Sequence, residues 1–125
     1  MSENRFFICE HCGNIVGMIH DAGKSICCCG EKMKQLVPDT TASAEKHTPV
    51  VSVEENVVKV NVGSAAHPMT EEHSITWVYL QTDRGGQRKC LKQGGERVVN
   101  FSLLDEKPIA VYAYCKIHGM WKTEI

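Results

Sequence analysis

The sequence predicts a mainly β protein in two parts: a small cysteine-bound module, then an antiparallel β-sandwich of immunoglobulin-like type. Three observations carry this expectation. Five of the seven cysteines fall between Cys9 and Cys29, too clustered for ordinary core residues. Beyond them, apolar and polar residues alternate in short runs separated by Gly, Asp, Asn and Pro, the pattern of half-buried strands and tight turns. No amphipathic helical period, internal repeat or low-complexity tract competes with that reading.

Residues 1–36 form the first part. Phe6, Phe7, Ile8, Ile15, Val16, Ile19 and Leu36 are too few for an independent core, so a segment this short needs a metal or a partner chain. Cys9-x-x-Cys12 followed by Cys28-Cys29 offers four thiolates for a tetrahedral site that suits zinc or a single iron. Gly13 and Gly30, one after each pair, relax the backbone so that amide N–H groups turn toward the sulfurs. Cys27 then points to the other side of the extended segment; the alternative is a swap in which Cys27 pairs with Cys29. Zinc ribbons use two C-x-x-C knuckles, whereas adjacent cysteines crowd and distort the tetrahedron. That distortion argues modestly for iron, whose potential it tunes. His11 reads as a surface side chain. Residues 37–46 are the linker, with polar, small and aperiodic Pro38 to Ala44 at its heart.

From residue 47 to 125 the strands follow one another. Pro49 to Val53 is the first, Glu54-Glu-Asn56 its turn, and Val58, Val60 and Val62 alternate with Lys59 and Asn61 in the second. Further strands are expected at 75–82, 87–91, 97–103 and 109–115. Asp83-Arg-Gly-Gly86, Gln93-Gly-Gly95 and Asp105-Glu-Lys-Pro108 supply the turns. Strands this short at this spacing make a small sandwich.

Composition narrows the functional classes. The chain has 125 residues, 42% hydrophobic and 23% charged, with a formal net charge of −1. These values are ordinary for a soluble domain and give no reason to expect nucleic acid or a membrane surface as partner. No stretch approaches the roughly 18 apolar residues of a membrane span. The start lacks a basic region followed by an apolar one, so we expect no signal peptide and a cytoplasmic protein. In that reducing compartment the cysteines are metal ligands or free thiols rather than disulfides. Cys90 is expected to serve packing.

The second chemical signal is a set of five residues: His47, His67, His73, Cys115 and His118. His67-Pro-Met-x-x-x-His73 lies in a turn-rich loop, Cys115-x-x-His118 ends a strand, and His47 opens the second part. Imidazole and thiolate suit a transition metal, and four nitrogens with one sulfur leave one octahedral position open. An open position on a redox metal admits a small oxidant. Two rivals stand beside this. Cys115-x-x-His118-x-Met120 on a sandwich has ingredients of a blue-copper carrier, although the Met spacing is short and two histidines would lack a role. Alternatively, both clusters are structural zinc sites.

Cys9-x-x-Cys12-Gly-Asn-Ile-Val with Cys28-Cys29-Gly-Glu-Lys-Met33 resembles the desulforedoxin module. Glu45-Lys-His47-x-Pro-Val50, His67-Pro-Met-x-x-x-His73 and Cys115-x-x-His118-Gly-x-Trp121 resemble the superoxide reductase domain. In this order, across nearly the whole chain, the motifs resemble the desulfoferrodoxin family of two-iron superoxide reductases; the third consecutive cysteine departs from the family's usual pair. The resemblance implies two irons per chain, one on Cys9, Cys12, Cys28 and Cys29, with no haem and no nucleotide. The second is held by His47, His67, His73 and His118, with Cys115 as axial thiolate opposite the vacancy. It implies Lys46 as the guide for superoxide and Glu45 as the carboxylate that takes the sixth position of oxidised iron. It further implies a rubredoxin-like electron donor and a homodimer paired through the first module. Trp77 and Trp121 are expected as core or site-wall aromatics.

Overall fold

The computed structural model describes residues 5–38, 49–62, 75–91, 97–115 and 119–125. All regular structure among them is β, with no helix and hence none long and apolar enough to cross a membrane. The chain packs as two units, Met1–Val37 and Pro38–Ile125.

In the first unit β1 (Arg5–Ile8) pairs antiparallel with β2 (Ile15–Met18). The short hairpin β3 (Cys27–Cys28) and β4 (Glu31–Lys32) follows, and β5 (Lys34–Gln35) closes the sheet against the other edge of β1. These strands are too short to show a period, which is why the sequence pattern does not reveal them. Phe6 and Cys9 are the only buried hydrophobic residues described here, while Ile19, Val37 and Val16 are exposed. Phe6 faces Gly17 across the sheet, its ring 3.4 Å from where a Cβ on Gly17 would sit. One aromatic over one glycine is a small core, and it leaves the unit dependent on other cohesion.

The second unit is a sandwich. Its smaller sheet holds β6 (Pro49–Glu54), β7 (Val57–Val62) and β10 (Val98–Ser102), with β7 central. Its larger sheet runs β12 (Gly119–Glu124), β11 (Pro108–Cys115), β8 (Ile75–Thr82) and β9 (Gly85–Cys90), all antiparallel. The β7 alternation holds as expected. Val58, Val60 and Val62 are fully buried and Lys59 is exposed. Against them pack Val78, Leu80, Val99, Phe101, Val111 and Ala113. Each such Val, Leu or Phe side chain contributes on the order of 1.5–3 kcal/mol by leaving water.

Apart from one-residue shifts at the ends of β10 and β11, where Pro108 joins the strand, three details depart from the expected elements. Strand β12 was not foreseen, because Met120 and Trp121 are consecutive and both buried, which erases the alternation. The β6–β7 turn is tighter than Glu54–Asn56. Glu54 pairs with Val57, leaving Glu55 and Asn56 as the loop, with Glu55 at φ 53. Strand β9 begins at Gly85 rather than Gln87, because Tyr79 lies across Gly86 and fills the space where a side chain would stand. The expected turn at residues 93–95 lies outside the described residues.

Side chains stitch the sheets along both seams. Gln87 Nε2 donates to the Ser102 carbonyl at 2.7 Å, and the Lys89 ammonium donates to the Asn100 carbonyl while lying 5.4 Å from the centroid of the Phe101 ring. On the other seam Thr123 Oγ1 donates to the Pro49 carbonyl at 2.6 Å. These bonds satisfy edge-strand carbonyls that would otherwise invite another chain. The buried Gln81 accepts the Tyr112 hydroxyl at 3.0 Å, which removes the cost of its polar burial.

Candidate metal centre

Two local structures build the first site. After β1 the chain turns at Cys9. Gly13 N–H donates to the Cys9 carbonyl and Cys9 N–H to the Asn14 carbonyl, both at 2.8 Å, with Gly13 at φ 83. That loop turns Cys9 and Cys12 to one side. The second half is the β3–β4 hairpin, in which Cys28 faces Glu31 across a loop of only Cys29 and Gly30. Both loop residues are left-handed, at φ 54 and 76, which is a type I′ turn. A left-handed cysteine costs about 1–2 kcal/mol, so something must hold Cys29 there.

The sulfurs of Cys9, Cys12, Cys28 and Cys29 all lie within 4.8 Å of one another. Cys12 and Cys28 Sγ are 3.6 Å apart, Cys28 and Cys29 Sγ 3.9 Å. Tetrahedral thiolate ligation at about 2.3 Å requires sulfur separations of about 3.8 Å, so the donor set fits a single four-coordinate ion. The strained turn explains the register. Along an extended strand Cys27 and Cys29 would share a face, whereas the turn rotates Cys29 round to join Cys28. Cys27, opposite Lys32, is exposed and outside the cluster.

Two contacts beside the cluster were not foreseen, although His11 lies on the surface as expected. His11 Nε2 lies 2.9 Å from Glu31 Oε2, tying the first knuckle to the hairpin across the surface. Asn14 Nδ2 lies 3.8 Å from Cys28 Sγ. The hint in the sequence was position alone: each stands within two residues of a clustered cysteine.

Electrostatics within the cluster are uneven. The Cys12 backbone amide, aided by that of His11, aims at the Cys9 sulfur and lowers its thiol from the ordinary value of 9.0 to about 6. Hydrogen bonding to Cys9 and then Cys12 raises Cys28, and the same neighbours with Cys28 push Cys29 up to about 12. At neutral pH Cys9 is therefore a thiolate toward which protonated neighbours point, and a cation would take the place of those protons. Loading must expel thiol protons, those of Cys28 and Cys29 among them, so affinity rises with pH, by at least about a hundredfold per pH unit while those two stay protonated. Chelator competition between pH 6 and 8 checks this; a flat profile removes those two thiols from the ligand set.

Of the second candidate site the described residues include only Cys115. It is fully buried at the end of β11, directly opposite Ile75, the first residue of β8, and Gly119, the first of β12. A bulge at Thr76 shifts the register there, so that Ile75 and Cys115 both turn into the core. Beside it Tyr114 stacks on Trp77, with ring centroids 5.5 Å apart. Burial, and then the Cys115 sulfur, raise the Tyr114 hydroxyl above its ordinary value. His47, His67, His73, His118, Lys46 and Glu45 lie outside the described residues.

A four-cysteine cluster in one unit and, in the other, a sandwich with seven strands among the described residues and a buried cysteine at a strand end define a two-part metal-binding protein. Residues 39–124 match the desulfoferrodoxin family model and residues 2–36 match the desulfoferrodoxin N-terminal domain. The chain belongs to the desulfoferrodoxin family. It is 42% identical to the desulfoferrodoxin of Nitratidesulfovibrio vulgaris, over 98% of each chain. It is 30% identical to the superoxide reductase of Pyrococcus horikoshii, over 74% of this chain and 96% of that one. Among solved structures, the superoxide reductase from Treponema pallidum aligns with a TM-score of 0.81 at 39% identity, over 98% of both chains.

Proposed function

We infer that this chain is a superoxide reductase, transferring one electron to superoxide so that, with two protons, hydrogen peroxide forms. The observation that carries the conclusion is the likeness to the superoxide reductase from Treponema pallidum, which spans both units at once. Iron is the metal at both centres, one all-cysteine and one of histidine and cysteine, which retires the copper-carrier and structural-zinc readings. Bound iron supplies the electron by cycling between its ferrous and ferric states. The rest is the work of side chains.

We assign residues 1–36 to the desulforedoxin-like domain, 37–46 to the linker and 47–125 to the catalytic domain. Cys9, Cys12, Cys28 and Cys29 hold the first iron; His47, His67, His73, His118 and Cys115 hold the second. The position of Cys115 supports the second set. His118 immediately precedes Gly119 and His73 stands two residues before Ile75, the two residues that flank Cys115 in the sheet. Cys115 is fully buried, so its sulfur would serve to hold the iron and not to meet substrate itself. Lys46 draws the anion toward the site and offsets the charge that develops on it, and Glu45 would offer its carboxylate to the oxidised iron. A rubredoxin-like carrier restores the ferrous state. The chain acts in the cytoplasm as a homodimer, which the thin core of the first unit and the exposed Val16 and Ile19 support.

Stopped-flow mixing of the reduced protein with superoxide, with iron oxidation and peroxide yield followed together, tests the activity; no oxidation, or oxygen in place of peroxide, rejects it. Lys46→Ala is expected to slow capture about tenfold at low ionic strength and less at high salt, with iron content intact. Equal rates at low salt exclude Lys46 from the mechanism.

A further inference from the structure

We propose that Asn14 sets the reduction potential of the all-cysteine iron by donating its side-chain amide N–H to the Cys28 sulfur. The proposal rests on Cys28 being one of the four ligands.

The two halves of the site supply hydrogen bonds differently. In the first, backbone amides of Cys12 and His11 serve the Cys9 sulfur, as a C-x-x-C loop permits. In the second, the backbone is folded into a two-residue hairpin, with Cys28 and Glu31 as its closing pair. A two-residue loop commits that pair's amides to the hairpin ladder. The donor at the Cys28 sulfur is instead a side chain, Asn14 Nδ2 at 3.8 Å.

Asn14 is also anchored for the task. Its carbonyl accepts the Cys9 amide at 2.8 Å, and the Cys9 carbonyl accepts the Gly13 amide at 2.8 Å. The Asn14 backbone is thereby tied to the first ligand, and its single methylene spans the gap to the second pair. One residue thus joins both halves of the ligand set, one bond through its main chain and the other through its side chain.

An N–H dipole on a thiolate withdraws electron density and favours the ferrous state, which carries one more negative charge. Hydrogen bonds to ligand sulfurs are among the levers that set such potentials. Losing the donor therefore lowers the potential. Asn14→Leu keeps the size and removes the donor. Asn14→Asp keeps the shape and turns a carboxylate toward the sulfur, so it lowers the potential further.

The test is a spectroelectrochemical titration of the full-length, iron-loaded protein, read in the charge-transfer bands of the all-cysteine iron. Asn14→Leu should raise the oxidised-to-reduced ratio at a given potential at least threefold, about 28 mV for one electron, and Asn14→Asp should exceed it. Charge-transfer bands shifted in the same order support the proposal, because a scaffold role would not grade with side-chain charge. Full iron content with a ratio within twofold of the parent in both variants overturns it. So does loss of the iron from both, which would make Asn14 a structural brace. Cys28→Ser with an unaltered spectrum overturns the ligand assignment itself, an outcome separate from the other two.

Discussion

Cys115→Ala is expected to abolish superoxide reduction and to remove the second iron while the all-cysteine iron stays bound. The side chain is fully buried among Val62, Ile75, Ala113 and their neighbours, and it faces Ile75 and Gly119 across two strand pairs. Removing one sulfur from such a core costs about 1 kcal/mol, so the sandwich still folds. The functional cost is far larger. Loss of a supporting partner of a metal ligand already costs 10–100-fold, about as a rule, and loss of the only thiolate in the set exceeds about a hundredfold. Iron analysis should show the content per chain cut by about half, and rapid mixing should show no oxidation of the residual iron by superoxide. A variant that kept both irons and its rate would remove Cys115 from the ligand set, leaving it a core residue.

The second large effect separates adjacent cysteines. Cys28→Ser is expected to lose the first iron and unfold the first unit, whereas Cys27→Ser keeps both. In zinc-finger peptides a structural metal site contributes an apparent binding energy of about 10–16 kcal/mol, which is folding energy, and a site of comparable kind sustains this unit. The first unit has little else, with Phe6 and Cys9 its only described buried hydrophobic residues. The Cys27 side chain lies outside the sulfur cluster, so serine there touches nothing the metal needs. Amide hydrogen exchange reads the result locally. The Cys9, Gly13 and Met33 amides, each bonded at 2.8 Å in the first unit, should exchange freely in Cys28→Ser and stay protected in Cys27→Ser. The reverse pattern would mean that Cys27 is the ligand and the hairpin has shifted by one residue.

The sandwich was legible wherever one face is buried and the other wet. Strand β7 is the clear case, because Val58, Val60 and Val62 against Lys59 state which side is the core. Legibility failed where that contrast vanishes. In β12 Met120 and Trp121 are buried on opposite faces, and in the first unit strands of two to four residues hold no period. The beginning of β9 was hidden by glycines that look like a turn. Gly85 and Gly86 are strand residues because Tyr79 from the neighbouring strand covers the second of them, a contact invisible along the chain.

By itself the sequence determined the kinds of donor atoms, the grouping of four cysteines into a sulfur set, and the motif order that marks the family. Composition and short spacing are properties of the chain, so no folding is needed to read them. Only tertiary structure decided which sulfurs meet. Side chains on an extended strand alternate, which would part Cys28 from Cys29 and group Cys27 with Cys29. The left-handed turn at Cys29 and Gly30 breaks that alternation, and a backbone rotation of this kind is set by the hairpin it closes. The reach of Asn14 to Cys28 and of His11 to Glu31 was decided the same way, because both cross between segments that only the fold brings side by side.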